Sequence, residues 1–206
     1  MSHCLDPLRR LRSNEAGAAL IEFAFVFPVL LAFALGGIEL ANYALAHLRT
    51  SQIALTTADN ASRIRTSIDE ADVNELFFGA ETSGASFGFK KNGKIILSSL
   101  EPNPKGDGQW ITWQRCSGDK AYASSYGKQD DGKNDASLKG MGPPGKQIAA
   151  LPAMAVMFVE AAYDYQPIVP NAITGNTTIR YTAAFNVRDM DNHQVTNLSN
   201  APVARC

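Results

Sequence analysis

The sequence predicts an α+β fold, in which a long N-terminal transmembrane helix continues onto an antiparallel β-sheet. Three patterns predict it. From Phe23 to Ile38 sixteen residues pass without a charge, and the flanking apolar residues extend that run to the roughly 20 residues a bilayer-spanning helix needs at 1.5 Å rise each. Beyond Leu48, Ala54, Ala58, Ala61, Ile64 and Ile68 recur at steps of three and four, the signature of a helix laid on a core. From Ala155 to Gln166 and from Thr177 to Arg188 the period is two, as in strands with one buried and one wet face.

Taken in order, Met1 to Glu15 is a polar, arginine-bearing terminus with Pro7 and no sustained period. Arg9, Arg10 and Arg12 precede the span and Arg49 and Arg63 follow it, a modest bias toward a cytoplasmic N-terminus. One helix is expected from Ala18 to about Arg65, the alternative being two helices broken at Arg49-Thr50-Ser51. Pro28 removes a backbone donor and crowds the preceding turn, so a kink is expected there. Gly36-Gly37 gives a second soft point where another helix could approach closely.

Asp69 to Phe78 reads as a short helix with a capping box from Asp72 to Glu75 and a stop at Gly79. Phe87 and Phe89 then alternate ahead of Lys91-Asn92-Gly93-Lys94, which predicts a two-residue hairpin turn with Ile95-Ile96-Leu97 on the return strand. Pro102 and Pro104 end that strand. Trp110 to Cys116 is the next, with Ile111 and Trp113 expected on one face. Ser117 to Gln147 is rich in Gly, Ser, Asp and Lys and holds Gly142-Pro143-Pro144-Gly145, which predicts an irregular, flexible insertion. Asp130 to Asp135 lacks the ligand spacing and closing Glu of a calcium loop and reads as a solvated turn. Pro167 and Pro170 confine the link between the two long strands to a loop, and Asp189 to Cys206 is expected to trail along the surface.

Nineteen basic against twenty acidic residues leave no basic block for nucleic acid. His3, His47 and His193 are far apart and sit in no metal-binding spacing, so no metal, cofactor or catalytic residue is expected. Nucleophile elbows, phosphate loops and dinucleotide fingerprints are likewise missing from the sequence. Cys116 and Cys206 fall in the part placed outside the membrane, where oxidation is permitted, whereas Cys4 stays in the N-terminal stretch. A Cys116–Cys206 disulfide would close a loop of about 90 residues, worth about 4–5 kcal/mol on a chain-entropy argument. Two free or buried thiols are the alternative.

Acids inside an apolar run need a reason, because a charge at mid-membrane depth costs on the order of 2.5–3.5 kcal/mol. Here there are two, Glu22 and Glu39. Gly17-Ala18, Glu22-Phe23, Pro28 and Gly36-Gly37-Ile38-Glu39, following the basic stretch Arg9 to Arg12, resemble the leader and stem of TadE-like pseudopilins of tight-adherence (Flp, type IV pilin-like) pilus systems. The resemblance covers about Ser13 to Asn60. It implies a leader peptide over residues 1–17 cut between Gly17 and Ala18 by a prepilin peptidase, and a transmembrane helix over 18–48. Residues 49–206 are then an exported pilin-like α+β domain with the flexible insertion 117–147. It further implies a non-enzymatic, minor subunit in the bacterial inner membrane, its domain in the periplasm and its partners the peptidase, other pilus subunits and the assembly platform. Cutting at Gly17 would give Ala18 a free ammonium four residues before Glu22, on the same helix face. Paired, within one helix or between neighbouring subunits, the two charges approach neutrality in lipid; a Glu22 snorkelling at the headgroups is the alternative. Glu39 is open between an interfacial acid beside a Tyr43 anchor and a contact to another helix of the assembly.

A second reading is a secreted soluble binding protein whose signal peptide ends at Ala44-Leu45-Ala46. The apolar stretch is long for that purpose, and both glutamates are awkward within it. A membrane-anchored sensor or hydrolase is a third, for which the sequence offers no site.

Overall fold

The computed structural model describes residues 16–169, 177–187 and 190–206. The expected leader up to Glu15, with His3 and Cys4, lies outside these residues, as do Pro170, Asn176 and Arg188. The fold is α+β, as expected: α1 (Ala16–Ser62), β1 (Thr66–Asp69), α2 (Glu70–Ser83), a 3₁₀ turn (Ala85–Phe87), the single-turn α3 (Phe89–Asn92), then β2 (Gly93–Pro102), β3 (Gln109–Ser117), β4 (Val156–Asp164), β5 (Thr178–Asn186) and β6 (Met190–Thr196). Two compact units divide it, residues 1–42 with 167–175, and residues 43–166 with 176–206.

The first unit is the apolar part of α1 and the loop after β4. α1 is one helix of 47 residues that runs unbroken through Pro28 and through Arg49-Thr50-Ser51. Its apolar side chains in this unit stand exposed on every side, Leu20, Phe25 and Phe33 at 70%, 77% and 76%. A helix that is apolar all round and uncovered by its own chain is matched to lipid rather than to water.

The second unit is built on a four-stranded antiparallel sheet, ordered β3-β2-β4-β5. The later turns of α1 lay Ile53, Ala54, Ala58 and Ala61 against it, all 2% exposed or less. Those alanines let the backbones approach closely. α2 adds Val73 and Phe77, and the sheet answers with Leu97, Trp113, Met157, Val159 and Ile179. Full burial of each large apolar side chain contributes about 1.5–3 kcal/mol.

Several expectations are corrected. α1 ends at Ser62 rather than Arg65, and Ile68 is buried from β1, not from the helix. The α2 capping box is one turn earlier than expected: the Asp69 carboxylate accepts from the Ala71 N–H and the Asp72 carboxylate from the Asp69 N–H. α2 passes through Gly79 and stops at Gly84, because Gly79 lies in open space while Gly84 is wedged on Phe89. The predicted hairpin is absent. Phe87 and Phe89 lie in helical turns joined by a left-handed Gly88 (φ 67°), and Gly93 opens β2 instead of turning it. Phe89 explains this: it is fully buried, and a Cβ at Gly84 or Gly93 would come within 2.3 or 2.7 Å of its atoms.

Ile111 and Trp113 face opposite sides of the sheet. Register shifts between Ser99↔Trp113 and Leu100↔Ile111, which leaves Thr112 as a bulge with its hydroxyl on the Ser99 carbonyl at 3.3 Å. The second face of the sheet is wet only along β5, where Arg180, Thr182 and Asn186 are exposed as expected; elsewhere it is covered. Residues 118–155 lie across it: Met141 and Ala150 join Leu100, Ile111, Val156 and Phe158 in a second cluster, and Tyr126 stands edge-on to Phe158. Glu160 on that face accepts from the Ser124 hydroxyl and, at 2.8 Å, from the Ser125 N–H. Burial raises the Glu160 carboxyl above its ordinary range, with these hydrogen bonds opposing the shift.

The C-terminal stretch does more than trail. β6 pairs parallel with β1, the Trp113 indole N–H donates to the His193 carbonyl at 2.9 Å, and Cys206 is bonded to Cys116 across 5.1 Å between Cα atoms. The free-thiol alternative is therefore set aside.

Candidate functional site

The residues singled out in the sequence occupy one stretch of α1. Gly17 and Ala18 are in its first turn, and nothing lies within 4 Å of a Cβ placed on Gly17. Glu22 and Phe23 follow one turn on, both exposed, with the Phe23 ring stacked on Phe27 at 5.1 Å. Ala18 and Glu22 are four residues apart, which places them on one face. Pro28 lacks the N–H that would bond the Ala24 carbonyl one turn back. Val29, Ala32, Phe33 and Leu40 join Pro28, Gly36 and Gly37 around a shallow apolar groove, and both glycines are open to it, with nothing within 4 Å of a Cβ added at either.

Glu39 has a setting the sequence did not reveal. It is fully buried, and its Oε2 accepts from the backbone N–H groups of Ile168 and Val169 at 2.9 and 3.1 Å. Both donors belong to the loop that leaves β4. The signal was present in two halves: an acid within an apolar run requires donors, and Pro167-Ile168-Val169-Pro170 is an apolar segment whose two prolines disfavour a regular strand and leave its two amides in need of acceptors.

In the second unit the polar groups serve the fold. Glu70, in the first turn of α2, is held by Arg115 of β3 through Nη2 at 2.5 Å and Nε at 2.9 and 3.0 Å, with both residues buried. Asp69 takes hydrogen bonds from the Ser199 hydroxyl, the Ala71 and Leu198 amides and the Thr196 hydroxyl, which hold its carboxyl down at about 2. Asp164 takes Tyr122, Lys120 and Thr178, a tie between the insertion and the sheet. His47 meets the Tyr181 hydroxyl at 3.1 Å and is stacked edge-on by Tyr43, while His193 lies 3.6 Å from Glu101. Among the described residues, no three His, Cys, Asp or Glu side chains gather in a way that could hold a metal ion.

This geometry defines a class: a chain with, among the described residues, one N-terminal helix fit to anchor it in a membrane, followed by an α+β unit closed by a disulfide. Within that class, α1 is similar to one family over most of its length. Residues 17–59 match the family model described as TadE-like protein, which bears out the resemblance over the length of α1 where its motif residues lie. No curated protein and no solved structure matches the chain.

Proposed function

We propose that this chain is a membrane-anchored minor pilin-like subunit for assembly of a tight-adherence pilus, cut between Gly17 and Ala18 by a prepilin peptidase. The observation that carries the reading is one of position. The family match opens at Gly17, five residues after the basic stretch ends at Arg12, and Glu22 becomes the fifth residue of the trimmed chain. Cutting there creates an amine four residues from the acid, on a helix face otherwise exposed and apolar. Each charge alone is costly in lipid; together they approach neutrality, within one helix or between neighbours in a filament. The subunit is a structural part rather than an enzyme, with its N-terminus cytoplasmic and its domain periplasmic. The Cys116–Cys206 bond supports that topology, since such bonds persist in oxidising compartments. The size of the unit after α1 favours an accessory or tip role over that of a main subunit.

The signal-peptide reading fares worse on a specific observation. Cutting after Ala46 would divide α1 and remove Tyr43 and Ala46, of which Ala46 is in the main core and Tyr43 packs edge-on to Tyr165 and His47. Co-expression with a prepilin peptidase tests the proposal: the chain should shorten to the size of residues 18–206, and Gly17→Leu should block the shift. Shortening that ignores Gly17→Leu would refute it.

A further inference from the structure

The loop at Ile168 and Val169 has a chemistry that α1 alone does not explain. Glu39 stands 17 residues after Glu22, about 26 Å along a helix, which is inside the roughly 30 Å of a bilayer's hydrocarbon core. At that depth an isolated carboxylate is costly, and so is every backbone N–H outside a helix. The structure places one against the other: Oε2 of Glu39 accepts from both amides, and the acid is fully buried. Each partner lowers the other's penalty, and paired N–H groups are a condition for irregular backbone to sit at membrane depth. The side chains are suited to lipid as well. Ile168 is 57% exposed, close to the values of Ile38 and Leu40 (53% and 54%) on either side of the acid, so the apolar surface of the helix continues onto the loop.

We propose that Pro167–Val169 is a second membrane contact, a segment after β4 that enters the outer-leaflet edge of the hydrocarbon beside α1 and is held there by Glu39. The occupant of this surface is lipid, because the surface continues one that already faces lipid. The inference rests on the reading of α1 as a membrane span, and it adds a second point of the sequence that meets lipid.

The test uses the full chain with Cys4→Ser, its disulfide intact, in phosphatidylethanolamine–phosphatidylglycerol vesicles. An environment-sensitive fluorophore is attached at Ile168→Cys or, separately, at Phe33→Cys. The label at 168 should lose more than half its emission to shallow doxyl-labelled phosphatidylcholine and resist aqueous iodide, and the label at 33 should respond to the deep doxyl probe. Glu39→Leu should return the label at 168 to iodide while the label at 33 stays in lipid. Iodide reaching 168 in the parent chain, with 33 still in lipid, overturns the proposal and leaves this face to a protein partner. Iodide reaching both positions overturns the membrane span itself. A label at 168 that remains in lipid after Glu39→Leu overturns the clasp.

Discussion

Arg115→Ala is the most informative single change to the α+β unit. It leaves Glu70, 3% exposed, as a buried carboxylate stripped of a guanidinium that reached both of its oxygens. Breaking a buried pair by removing one partner costs about 3–5 kcal/mol, since the remaining charge is uncompensated. The first turn of α2 softens this penalty, because a helix N-terminus favours an acid, and the lower half of the range is expected. With a urea dependence of about 2 kcal/mol per molar, the unfolding midpoint should fall by about 1.5–2 M. The assay is urea unfolding of the detergent-solubilised chain, read by tryptophan fluorescence, since Trp113 is buried on the same face of the sheet. Replacing both partners, Glu70→Met with Arg115→Met, should recover most of the loss, as apolar substitution of buried pairs often does. A midpoint shift below about 0.5 M for Arg115→Ala would refute the reasoning, because it would give the pair only the worth of an exposed one.

Three further outcomes follow from the same structure. Reduction of Cys116–Cys206, or Cys206→Ser, frees a loop spanning 90 residues and should lower stability by about 4–5 kcal/mol, measured as the gap between oxidised and reduced urea midpoints. Asp69 is depressed from 3.8 to about 2, so the stability it contributes is present above about pH 4 and is lost as pH falls through about 2. Amide exchange at Leu198 should accelerate across that window, and Asp69→Asn should abolish the acid step. Glu22→Ala should still be processed at Gly17 yet fail to support pilus assembly, scored by surface fibres in a deletion strain; normal fibres would remove the charge-pairing argument.

Periodicity carried the fold class because it records burial directly. The small residues at Ala54, Ala58 and Ala61 and the alternation in β5 record one buried side each, whereas β4 is buried on both faces. What failed to show in the sequence depended on contacts between distant segments. Phe87 and Phe89 had the spacing of a strand, but Gly84 and Gly93 leave room for the Phe89 ring and Gly88 supplies the left-handed turn between two helical turns. One extra residue at Thr112 was enough to send Ile111 and Trp113 to opposite faces. The second sheet face looked wet because Glu160 sits among its residues, and the serines that satisfy it lie 35 and 36 positions earlier in an unpatterned stretch. β6 was hidden by its polarity: backbone pairing joins it to β1, the Trp113 indole of β3 holds its His193 carbonyl, and Val195 packs on the core. In the candidate site, Glu22 and the glycines were legible as exceptions in an apolar run. Glu39 was legible as a question, and its answer lay in a loop 129 residues away.

The measurement that bears most directly on the account is N-terminal sequencing of the chain recovered from the membranes of its own cells. Ala18 should be the first residue, with its amine at the head of α1 and one turn from Glu22. A chain that begins at His47, or one that keeps Met1 in cells with an active prepilin peptidase, would contradict the account.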